Sequence, residues 1–404
     1  MADNREFDII LWGATGFTGS LVAQHFVDTY GSELNWAMAG RNLDKLEKLR
    51  AQLGCTHIPL IQADSHDNNS LQILAQRTRV ICTTVGPYAL YGTPLVAACA
   101  EAGTHYCDLT GEVQWMSHTI SHYQQIAEKT GARIVHTCGF DSIPSDLGVL
   151  YTQQQMQVAH QVYADQIKAR VGKFKGSASG GTIASMMVMM EQASKSKDIR
   201  RELQNPYSLN PTGEQVGPDG LDENRAIFDD DFSQWTSPFV MAAVNARVVR
   251  RSNALADYPY GKDFCYDERQ LTGEGKRGQK KAKNIALGSK LTPVAMALGP
   301  IRKLAGRFLP KPGEGPSHEE QRSGHFEMLF HGYNHGLSKS IKTRVAGDRD
   351  PGYGATSRML GESAVCLAQD TLSCGGGIWT PASAMGQTLI ARLEANAGIT
   401  FETL

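Results

Sequence analysis

A strand-like run, Phe7-Asp8-Ile9-Ile10-Leu11-Trp12, leads directly into Gly13-Ala14-Thr15-Gly16-Phe17-Thr18-Gly19, and a helical pattern follows over 20–30. Leu21, Val22, Phe26 and Val27 put one apolar face on that helix. A pyrophosphate needs backbone N–H donors, the positive end of a helix and no Cβ in its path, and a glycine turn between strand and helix supplies all three. The spacing is G-x-x-G-x-x-G rather than the more familiar G-x-G-x-x-G, so position carries as much weight as the glycines. By itself such a turn is also a tight strand-to-helix connection. Its place at the head of a βα series decides for a dinucleotide site made of Gly13, Ala14, Thr15, Gly16, Phe17, Thr18 and Gly19.

That series is legible as apolar runs at 7–12, 35–40, 58–63, 79–84, 104–108 and 133–138, with helical periodicity between them. Six strands complete a doubly wound sheet, so residues 1–158 are expected to form a Rossmann domain. From 159 to 350 the texture changes to longer runs at 161–171 and 264–272, separated by an Asp- and Gly-rich stretch at 205–231. Runs at 324–331 and 337–345, joined by Gly332-Tyr333-Asn334-His335-Gly336, read as a hairpin. Helical periodicity at 355–369 and 382–395 assigns 351–404 to helices that return to the first domain. The expected fold is α/β: a doubly wound parallel sheet, a second mixed α/β domain and C-terminal helices packing back.

The ends of the strands suggest the ligand. The second strand runs into Gly40-Arg41, where a site for NAD usually places a carboxylate about 20 residues past the turn. Arg41 instead offers a guanidinium able to hold a 2′-phosphate by two bonds, which points to NADP(H), although a solvated Arg at a helix start is the plainer reading. Asp64, ending the third strand, is placed either to accept from the adenine amino group or to cap a helix. Thr84, Val85, Gly86 and Pro87 let the backbone approach the ribose. Hydride chemistry at such a site commonly needs a proton donor, and Tyr88, Tyr91, Cys138 and Asp141 stand at suitable strand ends. Asp141 and Ser142 equally suit the cap of a helix that Pro144 begins.

Composition narrows the partners. Forty basic and 41 acidic side chains nearly cancel, which excludes a whole-molecule field for nucleic acid. Eight irregularly spaced cysteines without a C-x-x-C read as reduced core residues, and the first six residues lack the features of a signal peptide, so a cytoplasmic protein is expected. No run approaches the roughly 20 apolar residues of a membrane span. The pairs His118/His122 and His331/His335 lack the acidic partners of a metal site, and no metal is expected. Met186, Met187, Met189 and Met190 crowd a helical pattern at 182–195; that suits a pocket for an acyl chain, an ordinary core or a homodimer interface. Lys276-Arg277-Gly278-Gln279-Lys280-Lys281-Ala282-Lys283 opens a modestly apolar stretch to 309, readable as a peripheral membrane contact, a solvated loop or a packed helix.

Beyond its motifs, the chain resembles the saccharopine dehydrogenase-like oxidoreductases, in particular the trans-acting enoyl reductases. The likeness rests on Phe7 to Gly19, Ala39-Gly40-Arg41, Thr84-Val85-Gly86-Pro87-Tyr88, Asp108-Leu109-Thr110-Gly111-Glu112 and Gly139-Phe140-Asp141-Ser142-Ile143-Pro144-Ser145-Asp146. It continues through Arg250-Arg251-Ser252-Asn253-Ala254-Leu255, Leu309-Pro310-Lys311-Pro312-Gly313-Glu314-Gly315-Pro316-Ser317 and Thr380-Pro381-Ala382-Ser383-Ala384-Met385-Gly386. The resemblance implies NADPH-dependent reduction of an enoyl double bond in a lipid or polyketide chain, acting in trans on a small-molecule or carrier-bound acyl substrate beside a partner synthase. Two alternatives stay open. A saccharopine-type imine dehydrogenase would draw on Arg247, Arg250 and Arg251 for a polycarboxylate, and a non-enzymatic NADP-binding protein would sit on lipid surfaces.

Overall fold

Nearly every residue of the first strand is buried, and the reason is that the sheet it belongs to is covered on both faces. In the computed structural model, which describes residues 5–176, 180–297 and 318–404, the first sheet holds β1 (Phe7–Trp12), β2 (Trp36–Gly40), β3 (Leu60–Gln62), β4 (Thr78–Thr83), β5 (His105–Cys107) and β6 (Arg133–Val135). All pairs are parallel. Ile9 and Leu11 enter one core with Val22 and Phe26 of the helix Phe17–Tyr30 and Met359 and Leu360 of the helix Thr356–Gln369. Ile10 and Trp12 enter the other, with Leu71, Leu95, Val96 and Met116 from the helices Asn68–Gln76, Thr93–Ala102 and Val113–Thr130.

The second sheet contains β7 (Gln166–Lys175), β8 (Ile227–Asp229), β9 (Gln234–Pro238), β10 (Cys265–Gly273), β11 (His325–Asn334) and β12 (Lys339–Gly347). Only the β7–β10 pair is parallel there, so the sheet is mixed. The helix Ile143–His160 carries the chain from one sheet to the other, and its Gly148 lies under the Phe330 ring of β11.

The C-terminal segment does more than return as helices. Its helix Thr356–Gln369 covers the first sheet as expected, β13 (Gly377–Trp379) adds a seventh strand beside β6, and β14 (Ile399–Thr403) pairs with β12. The order of the first sheet is thus β13-β6-β5-β4-β1-β2-β3, and of the second β14-β12-β11-β7-β10-β9-β8. One buried carboxylate fastens this arrangement. Glu362 accepts from Tyr30 at 2.7 Å and Asn396 at 3.1 Å and pairs with His25 at 2.7 Å.

Several expected strands are shorter than the apolar runs that announce them. The run at 161–171 begins as strand only at Gln166, because Gln161 closes the preceding helix with φ 58°. The run at 133–138 stops at Val135, since the His136 ring turns to Asp108 and Thr137 takes φ 60°. Both departures are side-chain and capping events invisible to periodicity.

Candidate functional site

In the β3-to-β6 part of the sheet the strand order reverses between β1 and β4, which is where an open α/β sheet leaves a crevice beyond its carboxyl ends. The glycine turn fills one side of it. Gly13 takes φ 86° and its N–H donates to Ala39 of β2 at 3.0 Å, while a Cβ there would stand 2.6 Å from Val85. Gly19, on the first turn of the helix, faces the Gly13 carbonyl so closely that a Cβ would collide with it. The helix Phe17–Tyr30 begins at Gly16 with no side-chain cap. Its first N–H groups are therefore left for a ligand, and the exposed Thr15 and Gly16 keep the approach open. These residues fit a pyrophosphate.

Arg41 is exposed at the end of β2 and forms no ion pair with any described residue. The following helix is capped by Asn42, whose side chain accepts from Lys45 N–H at 2.9 Å, so Arg41 is not spent on that task. Asp64 is not a helix cap either. It accepts from His66 N–H at 3.0 Å in the loop after β3, and Asp67 caps the helix Asn68–Gln76. The Tyr91 ring meets His66 edge-on at 5.8 Å, which joins the loops after β3 and β4.

The opposite side of the crevice is organised by Asp108, at the end of β5. It is fully buried and accepts from Thr110 N–H at 3.0 Å and Thr137 N–H at 3.1 Å, with His136 Nδ1 at 2.7 Å. A positive φ at a β-branched residue such as Thr137 is strained, and these bonds hold it in place. Glu112, which has no assigned role from sequence, accepts from the N–H groups of Tyr88 and Ala89 at 2.8 Å each. It also bonds Ser185, so a residue of the helix Gly180–Lys195 is tied to the loop after β4. Gln192 of the same helix accepts from Gln114 at 3.1 Å. The Met-rich helix, with half-buried Met186, Met187, Met189 and Met190, is thereby latched to the first domain beside this loop.

Of the four proton-donor candidates, the structure turns two inward. The Tyr88 hydroxyl donates to the Thr83 carbonyl and accepts from Leu109 N–H, both at 3.2 Å, and its ring stacks on Trp115. Burial and the charge of Asp108 push this phenol well above its ordinary value. Cys138 is fully buried, and burial raises its thiol likewise. Neither group is open to a substrate, which corrects the expectation from sequence. Tyr91 stands with His66 rather than at the ends of β5 and β6.

Asp141 is different. Its Oδ2 lies 3.0 Å from where a Gly139 Cβ would be and its Oδ1 3.8 Å from that of Gly111, a point also reached by Met241 and Val244 of the second domain. Among the described residues no cation pairs with the carboxyl, and burial, reinforced by Asp108, raises its pKa to about 7. The loop that bears it is held from the C-terminal segment, since Phe140 N–H donates to Thr356 at 2.9 Å. Asp141 does not cap the helix Ile143–His160; Ser142 occupies the cap position, and its hydroxyl goes to Asn245 at 3.0 Å instead of to the helix.

Comparison with known proteins adds what geometry alone does not. Residues 9–135 match the saccharopine dehydrogenase NADP-binding domain. A Mycobacterium tuberculosis protein named as a candidate trans-acting enoyl reductase is 41% identical, covering 100% of this chain and 98% of its own. The trans-acting enoyl reductase of Mycobacterium bovis is 37% identical, covering 99% and 98%. The chain belongs to the saccharopine dehydrogenase-like oxidoreductases, in the trans-acting enoyl reductase subgroup. It is an NADP-dependent oxidoreductase. Apo saccharopine dehydrogenase (L-Glu forming) of Saccharomyces cerevisiae shares the fold, with TM-score 0.52 at 11% identity over 98% of this chain and 99% of that one.

The arginines considered for a polycarboxylate are consumed elsewhere. Arg247, Arg250 and Arg251 lie on the helix Ala242–Leu255 and are all buried, facing neither the crevice nor solvent. Arg247 donates to the carbonyls of Leu203 at 2.7 Å and Asn205 at 3.1 Å, and Arg250 to Asp219 at 2.7 Å and to Pro206 and Tyr266. Arg251 donates to Leu209 and Ile378 carbonyls at 2.5 and 2.6 Å. They fasten the irregular 203–222 segment and β13 to the second domain. Among the described residues no three His, Cys, Asp or Glu side chains are grouped as a metal site, all eight cysteines are unpaired, and no helix is long and apolar enough to cross a membrane.

Proposed function

We propose that the protein reduces an activated carbon–carbon double bond in a lipid or polyketide acyl chain, with NADPH as reductant, acting in trans on a chain carried by a separate synthase. The observation that carries this reading is the chemistry of the crevice rim at β5 and β6. A carboxyl with no cationic partner among the described residues stands there between two glycines, under Met241 and Val244. The arginine trio that a polycarboxylate amino acid would need is sequestered in the second domain. The names of the relatives, trans-acting enoyl reductases, support the reduction of an enoyl double bond.

NADPH, when bound, supplies a hydride for the β-carbon of the double bond. The chain's own residues orient and protonate. The backbone of Gly13–Gly19 receives the pyrophosphate, Arg41 the 2′-phosphate, and the loop Thr84–Pro87 the ribose next to the nicotinamide. Asp141, whose raised pKa keeps a proton on much of its carboxyl up to about pH 7, delivers that proton to the α-carbon. Glu112 fixes the end of the loop Thr84–Pro87 by accepting from the N–H groups of Tyr88 and Ala89, and the methionines of the helix Gly180–Lys195 offer an adaptable apolar wall.

A spectrophotometric screen of NADPH oxidation against enoyl thioesters, with an amino acid plus aldehyde as the comparison, tests this. Consumption with an enoyl thioester is expected. Consumption only with the amino acid and aldehyde would replace the reading with imine chemistry.

A further inference from the structure

The helix Gly275–Ala297 packs on β9 and β10 through its buried residues Gly278, Ala282 and Ala286. At about 100° per residue, those three positions share one side of the helix. The other side carries Lys276, Lys280, Lys283 and Lys290 around Leu287 and Leu291, with Arg277 and Lys281 at its edge. All eight side chains are exposed, and each leucine keeps 57% of its surface in solvent. The helix contains six cations and no acid. None of the six forms an ion pair with a described residue. A solvated helix ordinarily mixes signs so that i,i+4 pairs relieve repulsion, and it has no use for two leucines at the centre of a cationic face.

We infer that this face is a docking surface for an anionic lipid bilayer, with the helix lying in the interface plane, the lysines among the headgroups and Leu287 and Leu291 inserted shallowly. Charge complementarity selects the partner, and the leucines favour a bilayer over a purely polar polyanion. The location suits it. The helix also packs on the Met-rich helix Gly180–Lys195, which is tied through Ser185 to Glu112 beside the loop after β4. A surface-bound molecule would thus keep its crevice rim near the membrane. Residues 298–309 of the stretch marked out in the sequence lie outside the described residues.

The inference stands apart from the reaction proposed above, because vesicle binding is read without turnover. The full chain is sedimented with phosphatidylcholine vesicles with and without phosphatidylglycerol. Binding to the anionic vesicles alone, weakened by high salt, is expected. The Lys276→Glu/Lys280→Glu/Lys283→Glu variant should lose at least about a hundredfold in affinity, at about fivefold per lost basic side chain near an anionic surface and more from the added carboxylates. Leu287→Ser/Leu291→Ser should weaken binding while keeping its salt dependence. Retained NADPH binding by both variants shows that they fold. No sedimentation with anionic vesicles, equal binding to neutral ones, or unchanged binding by the triple variant would overturn the inference; in the first case an acidic protein surface becomes the occupant to test.

Discussion

Replacing Arg41 by Ala isolates the proposed 2′-phosphate contact because the residue does little else. Its side chain is exposed, forms no ion pair with a described residue and leaves helix capping to Asn42, so the fold should change by less than about 0.5 kcal/mol. A hydrogen bond to a charged group contributes about 1.5–3 kcal/mol, which corresponds to a loss of about 10- to 150-fold. Screening at so exposed a position favours the lower end, about tenfold. The assay is a fluorescence titration giving Kd for NADPH and, by competition, for NADH. Arg41→Ala should weaken NADPH about tenfold and leave NADH unchanged. Arg41→Asp should lower NADPH affinity further and improve NADH, because a carboxylate repels the phosphate and accepts from ribose hydroxyls. High salt should erode the wild-type preference. Equal losses for both cofactors, or no loss, would refute the assignment.

Three further perturbations bear on other parts of the account. Asp141→Asn should lower kcat by about 10²- to 10⁴-fold with NADPH affinity unchanged. Because the protonated carboxyl is the donor and its pKa is raised to about 7, wild-type kcat should fall as pH rises through that value, and a pH–rate profile of the variant should lack this limb. Gly19→Ala drives a Cβ against the Gly13 carbonyl and to 2.9 Å from Ala14, so NADPH titration should show binding largely lost, with a stability cost of about 1–3 kcal/mol in thermal denaturation. Glu362→Ala leaves His25 and Tyr30 without their buried acceptor, at a cost of about 3–5 kcal/mol. The His25 contact holds the Glu362 carboxyl below its usual range despite burial, so its contribution is present above the ordinary carboxylate pKa and lost as pH falls. Denaturant midpoints of the two proteins should therefore converge in acid.

What the sequence made legible was what is local. The glycine turn, the strand before it and the helix after it are contiguous; the strand stands where periodicity places it, and the helix begins at Phe17, taking in the last three residues of the turn. β13 was not legible: Gly377-Ile378-Trp379 is too short to show a period, and its partner β6 lies more than 200 residues earlier. The same holds for β14, which was read as part of a helical return. At the site, Tyr88 and Asp141 looked alike as polar residues at strand ends. Only tertiary packing separates them, since Trp115 and two backbone groups enclose the phenol while the carboxyl rests against glycines. Arg247, Arg250 and Arg251 were equally undecidable, because their partners are carbonyls and carboxylates of an irregular segment that carries no pattern.

The proposed reaction passes a hydride from NADPH to an enoyl carbon. It is tested most directly by incubating the protein with 4-deuterated NADPH, prepared separately in each stereochemical form, and an enoyl thioester, and analysing the product by mass spectrometry. A saturated thioester carrying one deuterium at the β-carbon, from one of the two forms only, is the predicted result. Saturated product without deuterium from either form, or deuterium found instead in an amine formed from an added amino acid and aldehyde, would contradict it.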